Sequence, residues 1–126
     1  MRDNETRAGG EPPRFKYSAA LGKRALLVIL STAGFGSTFV IDKPSLVLGR
    51  QDDCDCVIDD PLLSRHHCRV SMDEHGVFWL EDLASTNATF LNARKVQDKE
   101  RLQYGDRIVI GTTILRFYLE EQGDAK

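Results

Sequence analysis

No apolar stretch between residues 24 and 120 is long, and turn residues close each one. The longest unbroken run is ALLVIL at 25–30. Other β-prone runs fall at 37–41, 46–48, 56–58, 67–72, 77–81, 89–91, 95–96, 107–110 and 113–119. Between them stand Asp42-Lys43-Pro44, Gly49, Asp59-Asp60-Pro61, Asp73-Glu74-His75-Gly76 and Gly111-Thr112. Gly, Pro, Asn and Asp clusters mark turns because they supply special backbone angles or bond their own backbone. No segment sustains a helical period. Short strands at this spacing predict an all-β chain, a β-sandwich or barrel. Val28, Ile41, Ile58, Val70, Trp79, Leu80, Ile108, Ile110 and Phe117 are expected in its core.

Composition narrows the function classes. The 126 residues suit one domain. Lys plus Arg number 17 and Asp plus Glu 19, for a net charge of -2, which excludes a chain that coats nucleic acid by charge alone. No run approaches the roughly 20 apolar residues of a spanning helix, so no membrane role is expected. Cys54, Cys56 and Cys68 form a sparse, odd set, which argues for a reducing, cytoplasmic setting over a disulfide framework. Residues 1–23 read as a flexible N-terminal tail, with Phe15 and Tyr17 able to dock and Thr6 a candidate for phosphorylation. The domain is expected at 24–120, and 121–126 as a short polar end.

Three polar groups interrupt the β pattern just outside expected strands: Gly49-Arg50, Ser64-Arg65-His66-His67, and Ser85-Thr86-Asn87. Loops at strand ends carry functional side chains. If these loops share one end of the fold, a guanidinium, two hydroxyls and an amide converge. Arg50 offers a planar fork of donors matched to a tetrahedral oxyanion. Ser64 and Thr86 add neutral donors, and Asn87 offers both a donor and an acceptor suited to a peptide backbone. No activated nucleophile stands beside a general base, so the set reads as anion capture without turnover.

These residues resemble the forkhead-associated (FHA) domain family. The resemblance rests on Gly49-Arg50, Ser64-x-x-His67 and Ser85-Thr86-Asn87, and continues through Asn92, Leu102, Gly105-Asp106, Ile108 and Gly111. It covers about 24–120. It implies an eleven-stranded β-sandwich that binds phosphothreonine in a peptide and needs no cofactor. By the resemblance, Arg50 and Ser64 hold the phosphate, Arg65 adds a phosphate or peptide contact, and Thr86 contacts the phosphate or shapes its pocket. Asn87 binds the peptide backbone, while Gly49 and His67 support the loops. The implied partners are phosphothreonine-containing substrates of serine/threonine kinases, with no enzyme activity. Two positions depart from the family pattern, since Ala88 and Ala93 stand where glycine is usual. Alanine in a left-handed backbone carries a penalty, so these turns either keep their shape at a cost or shift. That departure motivates the alternative of an FHA-fold scaffold that binds without phosphate.

Metal binding is not expected. The spacing of Cys54, Cys56 and Cys68 lacks the common Cys-x₂-Cys pair. Asp52, Asp53, Asp55, Asp59 and Asp60 lack the glycine and terminal Glu of an EF-hand loop, and read as solvated loop charges.

Overall fold

The computed structural model describes residues 23–121. The expectations for Thr6, Phe15 and Tyr17 fall outside these residues. Among the described residues there are eleven strands and no helix. They are β1 (Lys23–Ile29), β2 (Thr38–Ile41), β3 (Ser45–Gly49), β4 (Cys56–Val57), β5 (Cys68–Met72) and β6 (Phe78–Asp82). Then follow β7 (Thr89–Leu91), β8 (Arg94–Lys95), β9 (Lys99–Leu102), β10 (Arg107–Ile110) and β11 (Thr113–Glu121). Two sheets result, a five-stranded one in the order β9-β6-β5-β3-β4 and a six-stranded one in the order β2-β1-β11-β10-β7-β8. All pairings are antiparallel except β3 with β4. The all-β expectation holds, as a sandwich.

The core lies between the sheets. Leu27, Leu115, Phe117, Ile108 and Ile110 enter from one side, and Leu48, Val70 and Leu80 from the other. The Phe78 and Phe117 rings meet across the layer at 5.2 Å between centroids. Apolar burial at about 25 cal/mol per Å² drives this assembly, and period-two alternation sets which face of each strand contributes.

Two core expectations need correction. Val28 is only half-buried: from Ala25 onward β1 is apolar on both faces, and its inward residues are Ala25, Leu27 and Ile29. Trp79 is also half-buried, on the outer face of β6, and its indole N–H donates to Asp73 at 3.0 Å. Strand β9 was not expected. Three of its four residues are charged, and only Leu102 is buried. It is an edge strand, where charge guards against unwanted pairing.

Candidate functional site

The three polar groups meet at one end of the sandwich, beyond the end of β3, the start of β5 and the turn from β6 to β7. Backbone pairing welds the first two loops, with the Arg50 N–H donating to Ser64 O (3.2 Å) and the Gln51 N–H to Arg65 O (3.2 Å). The Arg50 Nε–H donates to Leu63 O at 2.9 Å, which fixes the side chain against the second loop. Gly49 makes this approach possible, because a Cβ there would lie 2.1 Å from Arg65 O and 2.9 Å from Cys54 Sγ. Gly49→Ala is therefore expected to destabilise the fold by about 3 kcal/mol, since backbone cannot yield as a flexible side chain does. Urea unfolding measures this, and an unchanged midpoint would contradict the packing described.

The third loop is tied in through Ser64 and His67. The Thr86 N–H donates to Ser64 Oγ at 2.9 Å, and the Asn87 side-chain amide donates to Leu62 O at 2.9 Å. His67 is fully buried. Its Nδ1 accepts from the Ser64 N–H at 3.0 Å, and its Nε2 lies 2.8 Å from Ala88 O. A neutral ring protonated on Nε2 satisfies both bonds, so one imidazole braces two loops. Asp82 completes the brace from β6. Its carboxylate accepts from Ser85 Oγ (2.5 Å), the Ser85 N–H (3.1 Å) and Thr89 Oγ1 (2.6 Å). Desolvation pushes this carboxyl up, but the Ser85 and Thr89 bonds outweigh it and hold it below the ordinary range.

What remains at the rim is a set of uncommitted donors. Arg50, Arg65, Thr86 and Asn87 are exposed, and Ser64 is half-buried. Among the described residues, both terminal nitrogens of Arg50, the whole Arg65 guanidinium and the Thr86 hydroxyl make no hydrogen bond. Ser64 Oγ accepts from Thr86 and so keeps its own proton to donate. Arg50 pairs with none of the nearby aspartates. Asp55 instead pairs with Lys43 and accepts from the Val47 N–H, while Asp53 lies 2.8 Å from His66 Nε2. Two cations and two hydroxyls thus lie on loops that backbone bonds tie together, a donor set suited to a tetrahedral dianion. His67 bonds the Ser64 backbone rather than its hydroxyl, so the pair is not built as base and nucleophile.

The departures from the family pattern resolve into backbone geometry. Ala88 and Ala93 have φ of 68° and 70°, and Ala84 has 55°. The turns keep the shape that glycine favours, and two strained alanines bracket the Ser85-Thr86-Asn87 loop. Ala88→Gly and Ala93→Gly are each expected to stabilise the domain by roughly 0.5–1 kcal/mol, the left-handed penalty less glycine's extra chain entropy. Thermal unfolding of the single variants checks this, and a lowered midpoint in both would contradict it.

Sequence reasoning missed two supporting residues. Asp60, expected among the solvated loop charges, is 3% exposed. It accepts from the Leu62 N–H and from Thr112 and Thr113, so it pins the Ser64 loop to the turn entering β11. Asp82 had no signal beyond its place before a Ser-Thr-Asn turn. The structure also gathers Asp53, Cys54 and His66, with potential ligand atoms within 4.8 Å of one another. Here Cys54 is buried and its thiol donates to Arg65 O at 3.0 Å, while burial pushes its pKa up. Burial likewise pushes the Cys56 thiol to about 12 and the Cys68 thiol above its usual value, as for small core hydrophobes.

Comparison with known proteins agrees with this geometry. Residues 46–111 match the model of the FHA domain. The chain is 37% identical over 93 residues to the oxoglutarate dehydrogenase inhibitor of Corynebacterium efficiens, covering 74% of this chain and 64% of that one. It is 36% identical over 100 residues to the glycogen accumulation regulator GarA of Mycolicibacterium smegmatis, covering 79% and 62%. The chain thus spans less than two thirds of either relative, one named as an inhibitor and the other as a regulator. A structure solved in a study of phosphothreonine-dependent FHA domain interactions superposes with a TM-score of 0.68. It is 28% identical and covers 75% of this chain and 95% of that one. With its motifs at one rim and its sandwich in register, the chain belongs to the FHA domain family.

Proposed function

We propose that this domain binds phosphothreonine-containing segments of other proteins and so couples serine/threonine kinase activity to assembly, without catalysing a reaction. The observation that carries this reading is the cluster of uncommitted donors held by the Thr86 to Ser64 bond. Arg50 and Ser64 take the phosphate oxygens, and Arg65 and Thr86 add contacts at the edge. Asn87 keeps an unbonded carbonyl oxygen for the bound peptide's backbone. The left-handed geometry of Ala88 and Ala93 supports this reading over a phosphate-independent scaffold. A reducing cytoplasm suits the three buried free thiols.

A phosphate brings a charge of about -1.5 to -2 and three strong acceptors. Each charged hydrogen bond adds roughly 1.5–3 kcal/mol, and ordering a flexible peptide offsets much of the sum. Micromolar affinity is expected for a short peptide. Titration calorimetry with three forms of one peptide, carrying threonine, phosphothreonine or glutamate, tests the proposal. Binding of the phosphorylated form alone supports it, because a planar carboxylate cannot engage every donor. Equal binding of all three would overturn it.

A further inference from the structure

Of the three cysteines, Cys54 alone lies outside a strand and outside the hydrophobic cluster between the sheets. Cys56 opens β4 and Cys68 opens β5, and both belong to that cluster. Cys54 is 8% exposed, yet its sulfur rests against the backbone of two loops. The thiol donates to Arg65 O at 3.0 Å, and a Cβ on Gly49 would meet the sulfur at 2.9 Å. Packing as a small hydrophobe therefore accounts for Cys56 and Cys68 and not for Cys54.

The same two loops bring two further groups beside this sulfur. Asp53 precedes Cys54, His66 follows Arg65, and His66 Nε2 lies 2.8 Å from Asp53 Oδ1. Both side chains are exposed, so as an ion pair this contact is worth at most about 1 kcal/mol. The carboxylate oxygen, the sulfur and the imidazole nitrogen all lie within 4.8 Å of one another. Sequence spacing hides the set, since Asp53 and His66 are 13 residues apart.

These separations fit a small tetrahedral cation. A zinc ion with bonds of about 2.0 Å to nitrogen and oxygen and about 2.3 Å to sulfur holds its ligand atoms about 3.3–3.5 Å apart. The observed range, from 2.8 Å to at most 4.8 Å, brackets that value, and small rotations of two exposed side chains close the difference. Thiolate is a soft ligand, imidazole an intermediate one and carboxylate a hard one. This mixture suits zinc and not calcium or magnesium, which take oxygen ligands. The Gln51 N–H also donates to Arg65 O, so that carbonyl keeps a partner when the thiol gives up its proton.

We propose that Asp53, Cys54 and His66 bind one zinc ion, with water as the fourth ligand. Binding breaks the Cys54 S–H bond, forms an S–Zn bond and releases the proton to solvent, and no electron is transferred. Burial opposes a thiolate at Cys54, and the dication supplies the charge that offsets it. The ion ties the loop at 50–55 to the Ser64-Arg65-His66-His67 loop, on either side of the Arg65 backbone. Zinc binding at this place is independent of phosphate binding at the rim.

The test uses the full chain, stripped with a chelator and kept reduced by a phosphine. Dialysis against zinc at about micromolar free concentration is expected to leave one zinc per chain. Cobalt in its place reports the ligands, through a near-ultraviolet thiolate-to-metal band and the intense visible bands of a tetrahedral site. Cys54→Ser keeps a donor for Arg65 O, and His66→Ala alters an exposed side chain, so both variants should fold, which circular dichroism checks. Each is expected to weaken zinc binding at least roughly tenfold, and Cys54→Ser to abolish the thiolate band. Zinc should raise the thermal midpoint of the wild type and leave that of Cys54→Ser unchanged. A wild type that retains no zinc, or variants that bind zinc as tightly as the wild type, would overturn the proposal. So would a thiolate band that survives in Cys54→Ser, since Cys56 or Cys68 would then be the ligand.

Discussion

Replacing Arg50 with alanine is expected to weaken phosphothreonine-peptide binding at least a hundredfold while leaving the fold intact. Both terminal nitrogens of this side chain are uncommitted, and its Nε–H donates to Leu63 O at 2.9 Å. The substitution removes one bond from an exposed guanidinium to a backbone carbonyl, which solvent screens to about 1–2 kcal/mol of stability. It also removes two charged bonds to the phosphate. At roughly 1.5 kcal/mol each these amount to about 3 kcal/mol, or two orders of magnitude in affinity. Arg50→Lys keeps the charge but loses the planar fork, so its affinity should fall between the two. Fluorescence anisotropy with a labelled phosphothreonine peptide measures all three proteins. Equal affinity in wild type and Arg50→Ala would remove Arg50 from the site.

The fold is legible in the sequence where local chemistry decides the outcome. Turn residues and alternation sufficed for strands such as β7 and β10, whose ends fall where expected. The loop motifs were legible through their family resemblance, although Ser64 and Asn87 bond backbone 22 and 25 residues away and Gly49 acts through the Cβ it lacks. The outcome was hidden where distant partners decide it. Nothing in Lys99-Glu100-Arg101-Leu102 announces a strand until β6 offers an edge. Apolar on both sides, β1 does not reveal which side faces in, so Val28 was misplaced. Nor does the local sequence show that the Arg65 backbone carbonyl, bonded by Gln51 and Cys54, would be the fixed part of that residue.

Asp60 takes its partners from the far end of the chain, and its removal should be the costliest to the fold. Its Oδ2 accepts from the Thr112 N–H (2.8 Å), Thr112 Oγ1 (2.9 Å) and Thr113 Oγ1 (2.8 Å), and its Oδ1 from the Leu62 N–H (3.0 Å). The donors Thr112, in the turn before β11, and Thr113, its first residue, lie 52 and 53 residues away in sequence. Gly111 makes room, since a Cβ there would come 2.8 Å from Asp60 Oδ2. Asp60→Ala leaves these donors without an acceptor, and buried unsatisfied groups cost about 1–3 kcal/mol each. A loss of roughly 3–4 kcal/mol is expected, since the exposed Thr112 hydroxyl can turn to water. Burial raises the carboxyl's pKa, but the bonds from Leu62, Thr113 and Thr112 outweigh it, so the folded value lies below the ordinary one. Folded protein therefore binds fewer protons than unfolded protein in the acid range. The stabilisation is complete above the ordinary carboxylate pKa of about 3.9 and drains away as pH falls through the folded value. Asp60→Asn cannot titrate, so its deficit against wild type in urea unfolding should narrow from pH 7 to pH 3. A deficit constant across that range would show that the charge contributes nothing. Phosphopeptide affinity separates the two residues: Arg50→Ala loses binding in a stable fold, whereas Asp60→Ala loses stability first and binding only as the Ser64 loop loosens.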